Sequence, residues 1–217
     1  DTLDETGNSA PPPKSSAEIY KAVAPATVVV RVGGGFGSGI IVDPKGWILT
    51  NHHVIDSGET NDFKHKATVL LGQLNPKTGA MERQEKEYEA YVYKHDKLRD
   101  IALLKLSDPP KKGLPFVKVA TQSPVPGSDV VALGHAGAGM LWALKSGQIS
   151  ALGKLSETLA QLASFKDDDD GRKMAKRFKE YVEGKNLGLV IQSTCNILPG
   201  DSGGPLLNDR GELIGLN

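Results

Sequence analysis

From Ala26 onward the chain is written in short runs of β-forming residues cut by turn residues, and this rhythm restricts its fold more than any other feature. Val28, Val29 and Val30 are β-branched, and Gly33 to Gly39 form a glycine-rich turn. Ile40 to Val42 and Trp47 to Leu49 read as the arms of a hairpin around Asp43-Pro44-Lys45-Gly46. Ala67 to Leu71 and the alternating Tyr88, Ala90 and Val92 follow, separated by a turn at Asn75 to Gly79, and Ile101 to Leu106 closes the series. A second series starts after Pro109-Pro110, with Phe116 to Val119, Asp129 to Leu133, Leu141 to Leu152, Leu187 to Gln192, Pro205 to Leu207 and Leu213 to Asn217. Two blocks of about six short strands make an all-β chain that closes as barrels or stacks as a sandwich.

Two stretches depart from that rhythm. Residues 1–14 are polar and acidic and end in Pro11-Pro12-Pro13, the composition of a flexible tail or linker. Ser15 or Ser16 then caps a short helix through Lys21, which Pro25 cannot continue. Within 154–185, Leu155, Leu159, Leu162, Met174, Phe178, Tyr181 and Val182 fall at helical spacing, which predicts a helical hairpin inserted between strands. Asp167 to Asp170 divide its two halves. A calcium loop would need alternating oxygen ligands and a later glutamate, so a solvated turn fits this run better.

A length of 217 residues suits one all-β domain with a substantial core. The lone Cys195 excludes an internal disulfide, and its apolar neighbours suit a buried filler. Lysine plus arginine equals aspartate plus glutamate at 26 each, which points to neither nucleic acid nor an anionic membrane as partner. No apolar run is long enough to span a membrane. The first residue is Asp1 rather than methionine, so a processed N-terminus is expected, with signal-peptide removal one route to it.

The strongest chemical signal is Gly200-Asp201-Ser202-Gly203-Gly204-Pro205. A serine hydroxyl attacks a carbonyl only when a base takes its proton and donors await the oxyanion. Glycines beside the serine let the backbone turn tightly, and the N–H groups of Gly200 and Ser202 would supply those donors. By itself the segment also suits a polar turn between strands. This hexapeptide resembles the active-site serine motif of the chymotrypsin superfamily of trypsin-like serine proteases.

Leu49-Thr50-Asn51-His52-His53-Val54 resembles the histidine motif of the HtrA/Deg branch, Thr-Asn-x-His-Val, which selects His53 over His52 as the base. Arg99-Asp100-Ile101-Ala102-Leu103-Leu104-Lys105-Leu106 is similar to the aspartate motif, with Asp100 expected to be buried against the histidine. Ala17-Glu18-Ile19 through Val29 and Ser146-Gly147-Gln148-Ile149-Ser150-Ala151-Leu152 extend the likeness over roughly Ser15 to Asn217.

The resemblance implies two six-stranded antiparallel barrels of chymotrypsin type within one protease domain, 15–217. Residues 15–108 would hold the leading helix and first barrel, and 109–217 the second. It implies a serine endopeptidase without metal or organic cofactor, acting on proteins or peptides through an acyl-enzyme on Ser202. His53 would shuttle the proton, Asp100 would orient His53, and Gly200 and Ser202 would form the oxyanion hole. The branch usually carries Asn where Asp201 stands. Only fifteen residues follow Ser202, so the second barrel is expected to lack its closing strand, and the branch's PDZ domain is not expected within these residues.

The position six before the serine, acidic in trypsin-like members that select Arg or Lys, is Asn196, followed by Ile197. These two are the expected substrate-pocket residues, for small or medium apolar side chains. The helical insertion is expected either to dock a regulatory partner or a second copy, or to be a tolerated elaboration. The resemblance and the expected processing favour an extracytoplasmic location, periplasmic or secreted, while the missing disulfides permit a cytoplasmic one. The alternatives are a catalytically silent protease-fold binding module and an esterase of the same fold. His65, His95 and His135 show no metal-ligand spacing and read as surface or packing residues.

Overall fold

Ser15 starts the first helix. Its hydroxyl accepts from the Glu18 N–H while the Glu18 carboxylate takes the Ser15 N–H at 2.8 Å, a capping box opening α1 (Ser16–Val23). The helix buries Ile19 and Val23, and Pro25 turns its end into a single 3₁₀ turn leading to the first strand. The computed structural model describes residues 12–56, 66–137, 141–154 and 188–217, together with Lys173 and Lys176. Most of the expected insertion, the aspartate run, His65 and most of the N-terminal tail lie outside the described residues.

Six strands, β1 (Thr27–Val32), β2 (Gly35–Asp43), β3 (Trp47–Thr50), β4 (Lys66–Leu74), β5 (Met81–Asp96) and β6 (Ile101–Leu106), close a barrel in the order β1-β2-β3-β6-β5-β4. The Asp43–Gly46 turn joins β2 to β3, and a one-turn helix α2 (His52–Ile55) follows β3. Val28, Val30, Ile40, Ile48, Val69, Leu71, Leu104 and Leu106 fill the barrel and are essentially solvent-free. Each such side chain contributes roughly 1.5–3 kcal/mol through burial.

Register positions the chemistry. Thr50, the last residue of β3, pairs with Ala102 near the start of β6, and Asp96 at the end of β5 pairs with Ile101. Residues just after β3 and just before β6 therefore meet at one barrel rim, which brings Asn51 to His53 beside Asp100.

The second unit is a curled five-stranded sheet in the order β11-β10-β7-β8-β9, built from β7 (Asp129–Gly134), β8 (Ala143–Lys154), β9 (Leu189–Ser193), β10 (Pro205–Leu207) and β11 (Leu213–Leu216). Together the two units form a chymotrypsin-type double barrel whose second member, among the described residues, is an open curled sheet with β9 and β11 at its edges. Val130, Ala132, Ile149, Cys195 and Leu206 form its own small core, with Cys195 buried as a free thiol. Val131, Leu133, Trp142 and Leu207 instead join the core of the first barrel, and the Trp142 indole donates to the Thr27 carbonyl at 2.8 Å.

Phe116 to Val119 is not a ladder strand, contrary to the sequence expectation. Val117 N–H donates to the Ile41 carbonyl, Leu213 N–H to the Lys118 carbonyl, and only Val119 bridges Leu213. Its hydrogen bonds are divided between the two barrels, so it links them and belongs to neither sheet.

Candidate active site

His53 is placed at the barrel rim by α2, directly after Asn51. Its Nδ1 lies 2.7 Å from Asp100 Oδ2, and its backbone N–H donates to Asp100 Oδ1 at 2.9 Å. One carboxylate thus orients both ring and main chain, which leaves Nε2 free to point elsewhere. Asp100 adopts φ 53°, a left-handed conformation that a short polar residue tolerates at modest cost. The Asn51 amide holds the Asp100 carbonyl at 2.9 Å and stabilises that turn. Sequence reasoning did not single out Asn51 for this task.

Asp100 is less enclosed than expected, with its side chain 44% exposed. The reason is a cavity of about 610 Å³ between the units, whose lining includes His53, Asp100, Ser202, Leu189, Ile191 and Leu216. A second cavity of about 420 Å³ opens on the other side, between the Gly33–Phe36 turn and Pro199–Gly200, and also reaches His53 and Ser202. His53 and Ser202 therefore share the walls of both cavities. Among the described residues no hydrogen bond joins the Ser202 hydroxyl to the His53 ring, an open contact common before substrate is bound.

The loop carrying Ser202 is fixed bond by bond. Asp201 N–H donates to the Leu198 carbonyl, Gly203 N–H to that of Asn217, and Gly204 N–H to that of Asp201. Among the described residues the amides of Gly200, just before these, and of Ser202, between them, donate to no backbone carbonyl, the condition for both to serve an oxyanion. Gly200 has φ 99°, and a Cβ there would overlap the His135 carbonyl, so only glycine fits.

Asp201 is wholly buried beneath this loop. Its Oδ1 meets Lys145 Nζ of β8 at 2.5 Å, and its Oδ2 accepts the Leu198 N–H at 2.8 Å. The charge at the position usually held by Asn is thereby matched. Lys145 could have been sought from sequence only as the partner such an aspartate requires.

The other histidines and the expected pocket residues fall as follows. His52 is buried, stacked on His95 with ring centroids 5.0 Å apart. Burial holds its basicity below the ordinary imidazole range, with the neighbouring His95 acting in the same direction. His135 is buried against Trp142, and burial pushes its pKa down to about 3. Asn196 and Ile197 sit on the exposed stretch before Leu198, and neither is among the residues lining the 610 Å³ or the 420 Å³ cavity beside Ser202. Among the described residues, no group of three or more His, Cys, Asp or Glu side chains is placed to hold a metal ion.

Residues 37–216 match the trypsin-like peptidase domain. The chain is 33% identical over 184 residues to a putative serine protease HhoA of Synechocystis, covering 84% of the chain and 36% of that protein. It is 30% identical over 244 residues to the periplasmic pH-dependent serine endoprotease DegQ of Escherichia coli, covering 98% of the chain and 44% of that protein. A crystal structure of the serine endoprotease from Yersinia pestis superposes with a TM-score of 0.62 at 27% identity, over 95% of this chain and 58% of the other. The chain spans less than half the length of these two sequence relatives.

Proposed function

Because the chain belongs to the trypsin-like peptidase family, as a serine endopeptidase of the HtrA/Deg type, we propose that Ser202, His53 and Asp100 hydrolyse peptide bonds through an acyl-enzyme. In this scheme Ser202 Oγ attacks the carbonyl carbon while His53 Nε2 takes the hydroxyl proton. The N–H groups of Gly200 and Ser202 hold the oxyanion. His53 then returns the proton to the leaving amine, and a water molecule repeats the sequence to release the acid. The observation that carries the reading is the 2.7 Å contact of Asp100 with His53 Nδ1, at a cleft that also contains Ser202. A fluorophosphonate probe tests it. Covalent labelling confined to Ser202 and abolished in Ser202→Ala is expected, and an unlabelled folded protein would refute the assignment.

Small or medium apolar side chains are proposed at the cleavage site. Leu189, Ile191, Leu206 and Leu216 on the larger cavity support this preference more directly than Asn196 or Ile197. Peptide-library profiling checks it, and dominance of Arg or Lys would reject it. The domain division at 15–108 and 109–217, with a linker before residue 15, belongs to the same reading, and stable expression of 15–217 checks it. An extracytoplasmic location is supported by the periplasmic relative DegQ and is tested by cell fractionation. Protein or peptide substrates are its partners in this reading. Regulation by a partner or second copy through 154–185 predicts altered kinetics on deleting Ser156 to Glu183, and unchanged kinetics would dismiss it.

A further inference from the structure

Ser38 and His135 touch none of the reacting groups of the proposed mechanism, yet both are fully buried against the loop that carries Gly200 and Ser202. Ser38 lies in β2 of the first barrel, and His135 directly follows β7 of the second sheet. A serine hydroxyl has one proton to give and two lone pairs to fill. Here it donates to the Gly200 carbonyl at 2.7 Å and accepts the His135 backbone N–H at 3.0 Å. The His135 Nδ1 stands 3.0 Å from the same oxygen.

With the hydroxyl proton committed to Gly200, Nδ1 must bring its own proton and donate to Ser38. The ring is held neutral by burial, so Nε2 then carries none. Nε2 is indeed the ring nitrogen without a hydrogen-bond partner, on a ring packed edge-to-face with Trp142. A buried lone pair without a donor is tolerated better than an orphaned N–H. The Nδ1–H tautomer is the one that fills every site on Ser38.

The main chain of Ser38 completes the grip. Its N–H donates to the Ser202 carbonyl at 2.7 Å, while the Gly137 N–H takes the Pro199 carbonyl at 2.9 Å. In a trans peptide the N–H points opposite to its C=O. Anchoring the Pro199 carbonyl on Gly137 therefore turns the Gly200 N–H away from that side. Anchoring the Gly200 carbonyl on Ser38 fixes the next peptide of a residue that has no Cβ to restrain it.

We propose that Ser38 and His135 are a pair of positioning residues that locks the Gly200–Asp201 peptide from beneath, between the two oxyanion donors, while the Gly137 N–H holds the peptide that carries the Gly200 N–H, so that both donors are set before substrate arrives. Donors aimed in advance act on the transition state and not on ground-state binding. The inference rests on the hydrolytic reading above.

The test uses the full-length protein. Ser38→Ala is expected to lower kcat by roughly 10- to 100-fold, less than outright loss of an oxyanion donor, with KM within about twofold. His135→Leu should fall with it. His135→Asn, whose amide places an N–H near the position of Nδ1, should retain most of the turnover. A folded Ser38→Ala enzyme with wild-type kcat, or with a change confined to KM, would overturn the pairing. A measurement independent of activity is ¹⁵N NMR of the His135 ring in the wild-type protein. The Nδ1–H tautomer is expected, and an Nε2–H tautomer would overturn the proposal whether or not the protein cleaves peptides. Absence of probe labelling at Ser202, by contrast, strikes only the hydrolytic assignment.

Discussion

Asp201 and Lys145 meet out of solvent, with Nζ 2.5 Å from Oδ1, the carboxylate wholly buried and the ammonium side chain only 13% exposed. The pair ties the loop before Ser202 to β8, because the second carboxylate oxygen holds the Leu198 N–H. Removing one partner of such a pair costs far more than removing both, since an uncompensated buried charge remains.

Lys145→Met should therefore destabilise the fold by roughly 3–5 kcal/mol, and Lys145→Met combined with Asp201→Asn should recover most of that loss. Urea unfolding of the single and double variants measures it. Additive losses would show that the two charges do not depend on each other.

Asp100→Asn keeps the shape of the rim but withdraws the charge from His53 Nδ1. It should lower kcat by about four powers of ten, and Ser202→Ala by a similar or larger factor. The double variant should be scarcely worse than Ser202→Ala alone, because the groups act as a unit. Steady-state kinetics on one chromogenic peptide compares all three, and a loss of under about tenfold for Ser202→Ala would remove it from the mechanism.

Asn51→Ala frees the Asp100 carbonyl at a residue held at φ 53°. The expected result is a fall in kcat of roughly tenfold with little change in KM, since the carboxylate that orients His53 loses its anchor. Equal kcat in the variant and the wild type would mean that the Asp100 turn holds itself.

His135 gives a pH signature. Its folded pKa, about 3, lies below the ordinary imidazole value of 6.5 because burial disfavours the charged ring. The unfolded chain thus binds a proton that the folded chain refuses between those values, and stability falls as pH drops from about 6.5 toward 3. Thermal unfolding of His135→Asn across that range should show a shallower decline than the wild type. Parallel curves would place the acid sensitivity elsewhere.

Much of the chain was legible locally. The Ser15 cap, the stop at Pro25 and the hairpin turn at Asp43–Gly46 are decided within a few residues, and the structure forms all three. The all-β character followed from strand-length runs. Ser202 stood out through its glycine-flanked hexapeptide, and His53 and Asp100 through the resemblance of their segments to the histidine and aspartate motifs of trypsin-like proteases. Phe116 to Val119 looked like a strand because composition reports β preference and not whether two neighbours lie within reach.

What only the tertiary structure decided are relationships between distant residues. Barrel closure, through the pairing of β3 with β6, brings His53 to Asp100 across 47 positions. Docking of the two sheets sets Ser38 on His135 across 97 positions, and the pairing of β10 and β8 with β7 carries Lys145 to Asp201 across 56. It also buried His52, left Asp100 open to a cavity, and kept Asn196 and Ile197 off the walls of the 610 Å³ and 420 Å³ cavities. Hydrophobic runs and turn residues act over a few neighbours and so specify elements. Burial and charge pairing depend on which elements pack together, and that is settled only when the core closes.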